Sequence, residues 1–347
     1  MSEKIRVIQY GLGPIGSAVA RHVAERPGLE LVGGVDIDPA KLGRDVGDVI
    51  GLGRPLGFAV SARLSDLLSP VPDVSAGRVP ADAVIHTTSS YFDLFKGQIV
   101  EILAAGLDVV TTAEELSFPW LAHPAEAAEI DAAAKTAGKT VLGTGVNPGF
   151  VMDALPLFLT GICQRVDRLA VTRVIDASTR RGPFQAKIGS GLTVEVFQAR
   201  ISAGRMGHVG LPESVGMVFD TLGKKLAHYE SSVEPVIAGR LVETKHFTVQ
   251  PGQVMGLKQV ARAYTAEGRG DPLWSPFLTL TFMAALETGE EGDTVQIFGK
   301  PDLEVRLKGT NGDLATVAIA ANAVRRVREA PPGLVTMRDL PPVTFSF

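Results

Sequence analysis

Gly11, Gly13 and Gly16 stand in Gly11-Leu12-Gly13-Pro14-Ile15-Gly16, a complete G-x-G-x-x-G spacing that follows the apolar run Ile5 to Tyr10 and opens a helical pattern, Ser17 to Glu25, closed by Pro27-Gly28. A glycine turn between strand and helix aims unpaired N–H groups and the positive end of a helix dipole at one spot, which is the chemistry of pyrophosphate binding. Twenty residues past Gly16, at the end of the next strand pattern (Glu30 to Val35), comes Asp36, placed to accept hydrogen bonds from an adenosine ribose. That acid favours NAD, because it repels a 2′-phosphate; Lys41 and Arg44 soften the preference and leave NADP open.

A second group is acidic. Glu114 and Glu115 lie just past what reads as the fifth strand, where the nicotinamide end of an extended dinucleotide would fall. Leu116, Phe118, Pro119 and Trp120 would wall them with apolar surface, and a carboxylate so placed has its pKa raised toward the range of a general base. The competing role is a cap for the helix that starts near Pro124. Thr87 and Thr88 end the preceding strand, after a histidine, His86, that reads as a core residue. In Gly143-Thr-Gly-Val-Asn-Pro-Gly-Phe150, Asn147 offers an amide that pairs with the nicotinamide carboxamide or fixes the turn before Pro148. Met206 and His208, in Gly204-Arg-Met-Gly-His-Val-Gly210, are candidates to line a pocket over the nicotinamide. There is no metal-ligand spacing, Walker loop or serine nucleophile elbow, so hydride transfer leads.

These groups need a scaffold. Strand patterns at Ala83–Thr88, Asp108–Thr112 and Thr140–Gly143 alternate with helical patterns at Phe95–Ala105 and from Pro124 to a stop at Gly138, predicting an α/β, Rossmann-type doubly wound parallel sheet over residues 1–149. Beyond Phe150 the texture shifts to period-two alternation at 168–174, 277–282, 294–298 and 303–307, with helical stretches at 192–201 and 212–226. This predicts a second, α+β domain over 150–310, built on a largely antiparallel sheet. A final helix, Asp313 to Arg328, carries an alanine-rich face, and residues 311–347 are expected to return to the nucleotide domain.

The 347 residues are long enough for two cores, and a net charge of −4 with interspersed signs excludes a basic surface for nucleic acid or anionic membrane. The expected ligand is small. Neither a leader nor an apolar run long enough for a bilayer is visible, and one cysteine, Cys163, rules out an internal disulfide. A cytoplasmic protein is expected, with Cys163 as buried filler.

Several segments together resemble a known family: Gly11 to Gly16, Val35-Asp-Ile-Asp-Pro39 with Lys41 to Asp45, Thr87-Thr-Ser-Ser-Tyr91, Ala113-Glu-Glu-Leu-Ser117, Gly143 to Phe150, Asn322, and Pro331-Pro-Gly-Leu334. The chain is similar over nearly its whole length to native amine dehydrogenases and 2,4-diaminopentanoate dehydrogenases, relatives of dihydrodipicolinate reductase in the nucleotide domain. The resemblance implies NAD(P)-dependent, reversible reductive amination of ketones or aldehydes with ammonia by a homodimer whose second-domain sheets pair. It places the catalytic glutamate on Glu114, with Glu115 second, and the pocket on Phe150, Leu155, Arg173, Met206, His208 and Thr316. Arg173, Arg180 or Arg181 would hold the carboxylate of a diamino acid substrate. A dihydrodipicolinate reductase-like or diamino acid (2,4-diaminopentanoate) dehydrogenase activity and a non-catalytic dinucleotide sensor are the alternatives; the paired-histidine motif of the reductase is missing here.

Overall fold

The structure is a computed structural model that describes residues 4–68, 81–267 and 274–345. Two compact units emerge: Met1–Phe150 together with Asn311–Phe347, and Val151–Thr310.

In the first unit, short apolar runs form β1 (Ile5–Tyr10), β2 (Leu29–Val35), β3 (Ala83–His86), β4 (Asp108–Thr111), β5 (Thr140–Gly143) and β14 (Gly333–Val335), which pair in the order β14-β5-β4-β3-β1-β2. Every pairing is parallel. All residues of β3, β4 and β5 are buried, as unbroken apolar strands must be when helices cover both faces. The chain reverses its direction of travel across the sheet between β1 and β3, so the glycine turn after β1 sits at the switch point where such sheets bind ligands.

The covering helices are α1 (Pro14–Glu25), α4 (Phe92–Ala104), α5 (Pro124–Ala137) and α10 (Gly312–Glu329), with the short α2 (Val46–Val49) and α3 (Leu64–Leu68) beyond β2. Phe92, Phe95, Ile99 and Ile102 of α4 pack with Ile130 and Ala134 of α5 on Ile8, Val84, Val109 and Val141 of the sheet. Each such side chain contributes about 1.5–3 kcal/mol by leaving water. Gly138 ends α5 at φ 64°, and the Asn311 side chain accepts the N–H groups of Asp313 and Leu314 to start α10.

Two sequence expectations need correction here. Asp108–Thr111 is the fourth strand of the described residues, not the fifth, because the stretch around Ala59 and Ser61 makes only isolated bridges. And α4 begins at Phe92, three residues before the expected Phe95, because a distant carboxylate caps it.

The second unit holds β6 (Arg165–Asp176), β7 (Leu226–Ile237), β10 (Val254–Thr265), β11 (Leu278–Ala285), β12 (Gly292–Lys300) and β13 (Leu303–Leu307) in the order β13-β12-β6-β11-β10-β7, beside a small β8 (Val242–Glu243) and β9 (Thr248–Val249) pair. Only β6 with β11 is parallel. Its helices are α6 (Ala154–Thr160), α7 (Gly182–Lys187), α8 (Val194–Ser202) and α9 (Leu211–Thr221). The predicted helix 212–226 therefore overran: α9 stops at Thr221, and Leu226 opens β7. Cys163 is half-buried rather than core, because α6 ends at Thr160 and the apolar run 157–163 straddles that end, leaving Phe158 and Ile162 exposed.

Among the described residues, no helix is long and apolar enough to cross a membrane, and no group of three or more His, Cys, Asp or Glu is placed to hold a metal ion.

Candidate active site

The glycine turn shows three different demands on its three glycines. Gly11 has φ +90° and lies against Thr87, whose carbonyl oxygen would be 2.7 Å from an added Cβ. A Cβ on Gly16 would collide with the Gly11 carbonyl, so that glycine lets the helix press on the strand end. At Gly13 a Cβ would meet nothing within 4 Å. Gly13 caps α1 with no side-chain hydrogen bond and Pro14 supplies the first helical position, so an uncapped helix end faces an open cradle. Leu12 and Ile15 complete the turn. These residues fit a dinucleotide pyrophosphate.

Gln9, which sequence reasoning passed over, holds this turn from beneath. Fully buried, it donates its amide N–H groups to the Gly11 carbonyl at 3.0 Å and to Thr87 Oγ1 at 2.8 Å, and Thr87 in turn donates to the Gly11 carbonyl at 3.0 Å. An uncharged amide inside the apolar run of β1, two residues before Gly11, was the signal for it.

Asp36 accepts the Leu12 N–H at 2.7 Å through Oδ2 and the Asp38 N–H at 2.8 Å through Oδ1, and the Lys41 ammonium lies 3.0 Å from Oδ2. Burial pushes this carboxyl up, but the Asp38 N–H, Lys41 and the Leu12 N–H outweigh it and hold it below the ordinary carboxylate range. Lys41 is thus shared between Asp36 and Asp38, while Arg44 reaches only the Ala40 carbonyl.

At the ends of β3 and β4 lies a network of directional hydrogen bonds. His86 is fully buried, with Nδ1 at 2.8 Å from Thr111 Oγ1 and Nε2 at 2.7 Å from Gln98 Oε1. Burial pushes its pKa down to about 4, so the ring is neutral. Thr88 donates to the same Gln98 oxygen at 2.7 Å.

The two adjacent glutamates have different surroundings. Both stand on a 3-10 turn, Glu114–Leu116, directly after β4. Glu115 Oε2 accepts the backbone N–H of Phe92 at 2.6 Å, its own N–H donates to the Ser90 carbonyl, and His123 Nε2 lies 3.6 Å from the same oxygen while stacking on the Phe92 ring. The expected cap of the helix at Pro124 is not found, since α5 has His123 at its N-cap with no side-chain cap; Glu115 caps α4 instead. Glu114 is half-buried, next to the buried Leu116, Ser117, Phe118 and Pro119.

Gly143, at the end of β5, lets the 3-10 turn approach: a Cβ there would run into the Leu116 backbone and sit 2.7 Å from the Ser117 nitrogen. In the loop that follows, Asn147 is buried, and the Val146 N–H donates to Thr316 Oγ1 of α10 at 3.3 Å. Thr316 thus ties α10 to that loop, which ends at the half-buried Phe150.

The arrangement can bind a dinucleotide and present a carboxylate beyond β4. The family model of the 2,4-diaminopentanoate dehydrogenase C-terminal domain matches residues 150–345. Over 98% of its length the chain is 31% identical to the 2,4-diaminopentanoate dehydrogenase of Acetoanaerobium sticklandii, of which the match covers 94%. The chain belongs to the 2,4-diaminopentanoate dehydrogenase family. Another relative, the amine dehydrogenase of Streptomyces virginiae, is 24% identical over 97% of this chain and 96% of its own. Among solved structures, the amine dehydrogenase from Mycobacterium smegmatis superposes with a TM-score of 0.83 at 25% identity, covering 99% of this chain and 98% of the other. The protein is therefore an oxidoreductase, and the dinucleotide-sensor alternative is not favoured.

In this diaminopentanoate dehydrogenase relative, the second unit's candidates fall into two sets. His208 stacks on Phe282 with ring centroids 4.5 Å apart, its backbone N–H donates to the Gln259 carboxamide oxygen at 2.6 Å, and Met206 is half-buried in the same loop. Leu155 is half-buried on α6. Arg173 corrects its expectation as an anchor for a substrate carboxylate: it is 2% exposed, and its Nη1 lies 2.9 and 3.0 Å from the two oxygens of Asp293, its register partner on β12. Burial pushes Arg173 down and Asp293 up, each opposed by its partner. Arg180 is buried too, its guanidinium lying over the Phe184 ring, while Arg181 is exposed.

Proposed function

We infer that the protein catalyses the NAD(P)-dependent, reversible oxidative deamination of an amine, which in reverse is the reductive amination of a ketone or aldehyde with ammonia, with Glu114 as its acid–base group. The observation that carries this reading is the placement of the two acids on the 3-10 turn: Glu115 is committed to the end of α4, while Glu114 stands half-buried beside the buried Leu116, Phe118 and Pro119 just past β4.

The turn at Gly11 to Gly16 holds the pyrophosphate, Asp36 the adenosine ribose, and Thr87, Thr88 and Asn147 the far end of the cofactor. When bound, the nicotinamide supplies the hydride acceptor for deamination and the donor for amination. For deamination, a Glu114 carboxylate oxygen takes a proton from the substrate ammonium, freeing the nitrogen lone pair that drives the electron pair off the adjacent carbon. For amination, the same carboxylate binds ammonia as it adds to the carbonyl and returns protons to the departing oxygen. Leu116, Phe118 and Pro119, all buried beside the turn, keep water from the carboxylate and strengthen its attraction for a cationic iminium.

The substrate class lies between a plain amine and a diamino acid. The commitment of Arg173 to Asp293 supports the plainer amine, since that guanidinium is already neutralised. Asp36 favours NAD, and Lys41 keeps NADP within reach. A homodimer acting in the cytoplasm, where a lone Cys163 stays reduced, completes the reading.

The test is a screen of NADH and NADPH consumption against ketones and aldehydes, run with and without ammonium. Consumption that requires ammonium is the expected result. Consumption that is equal without it would replace the amine reading by a carbonyl reductase.

A further inference from the structure

Four hydrogen-bonding groups in the first unit form one chain that ends at the residue before Glu114. Thr111, the last residue of β4, is fully buried, and its Oγ1 accepts the Ala113 N–H at 3.1 Å. His86 Nδ1 lies 2.8 Å from the same hydroxyl, which can donate to it. Nε2 lies 2.7 Å from Gln98 Oε1, an oxygen that can only accept, and 2.9 Å from Thr88 Oγ1, so the neutral ring carries its proton on Nε2 and accepts from Thr111 at Nδ1. The assignment is self-consistent from Gln98 on α4 to the backbone at Ala113.

Ala113 starts the 3-10 turn and has no side chain that could cap it. The His86 carbonyl also accepts the Thr112 N–H at 3.0 Å, so a single residue holds both backbone positions between β4 and the turn. On the other flank, Glu115 is fixed by Phe92 and Ser90, and Gly143 admits the Leu116 backbone. The same Gln98 oxygen accepts from Thr88 at 2.7 Å, on the loop assigned to the cofactor.

We propose that His86, acting through Thr111, is a positioning residue for Glu114: the Gln98–His86–Thr111–Ala113 chain sets the height and tilt of the 3-10 turn, and Gln98 couples that setting to Thr88. This rests on the reading of Glu114 as the acid–base group. Its physical basis is that proton transfer tolerates little misplacement, so a turn displaced by a fraction of an ångström loses turnover before it loses binding. A neutral histidine suits the task because it is a rigid ring that accepts at one end and donates at the other.

The experiment is a double-mutant cycle on the full chain. Thr111→Val, which keeps shape and removes the hydroxyl, is expected to lower kcat about ten- to a hundredfold while the amine KM and the dissociation constant of the reduced dinucleotide, read by fluorescence titration, move less than about threefold. Thr111→Ser restores the hydroxyl and is expected to restore kcat. In a Glu114→Gln background, Thr111→Val is expected to cost nothing further, because the group being positioned is gone. An equal kcat loss in both backgrounds overturns the positioning role and leaves Glu114 in place. Wild-type turnover in Glu114→Gln alone overturns both readings. If Thr111→Val does not fold, Gln98→Met enters the same cycle, with the same non-additivity expected and additivity overturning the proposal.

Discussion

The Glu115 carboxylate accepts the backbone N–H of Phe92 at 2.6 Å, across a sequence separation of 23 residues. A helix that lacks a capping side chain of its own, since Tyr91 at its N-cap makes no such bond, takes its cap from the turn after the next strand. The negative charge also lies at the positive end of the α4 dipole. One contact therefore starts α4 and anchors the 3-10 turn.

The two glutamates are accordingly separable. Glu115→Ala is expected to destabilise the fold by about 1–2 kcal/mol, the cost of a lost helix cap, visible in a urea unfolding midpoint. Glu114→Gln is expected to unfold like the wild type and bind dinucleotide, but to lose turnover by about two orders of magnitude or more. Reversal of that pattern would assign the chemistry to Glu115.

Gly13 and Gly16 differ in the space around them, so alanine at the two positions should fail in different ways. Gly13→Ala has room in the protein alone and is expected to fold normally while weakening dinucleotide binding at least tenfold, because its methyl fills the cradle. Gly16→Ala meets the Gly11 carbonyl and is expected to lower the melting temperature. Calorimetry with and without added NADH reads both effects; unchanged NADH affinity in Gly13→Ala would remove the cradle from the cofactor site.

Asp36 and Lys41 are expected to set the cofactor ratio. Asp36→Ala removes the acceptor for the ribose hydroxyls and frees Lys41 for a 2′-phosphate, so the NADPH to NADH ratio of kcat/KM is expected to rise about tenfold or more. A ratio that stays fixed would place the adenosine ribose elsewhere.

His86 predicts an acid limb of stability. Its pKa lies near 4 in the folded protein against 6.5 for the free side chain, lowered by burial, so the unfolded chain binds the proton more readily. The stability contributed by the neutral ring is complete above about pH 6.5 and is lost as pH falls toward 4, on the order of 3 kcal/mol across that window. Unfolding midpoints taken at neutral pH and at roughly pH 5 should differ more in the wild type than in His86→Asn. Equal differences would mean that the ring is solvated.

The parallel sheet and its glycine turn were legible because they are local: an apolar run, a fixed glycine spacing and an acid at a fixed distance. The same holds for the stop of α5 at Gly138. What escaped depends on partners distant in sequence. Arg173 reads as an available cation until Asp293 arrives opposite it, 120 residues on. Gln9 reads as an interruption of β1 until Thr87 and Gly11 are seen to use its amide. The long β7 and β10 were missed because polar residues such as Ser231, Ser232 and Glu234 blur the alternation of β7, whose pairing with β10 supplies what its pattern does not.

The sequence between Val151 and Thr310 interrupts the first unit, whose edge strand β14 and covering helix α10 both come after it. During synthesis, the β5 edge emerges long before β14 exists to pair with it. The nascent chain thus carries an open, parallel-ready edge throughout the making of the inserted unit, a liability in a crowded cell. Order of manufacture and order of completion are reversed: the piece made first is finished last, and loss of a few residues near Leu334 would strand a sheet that began at Ile5.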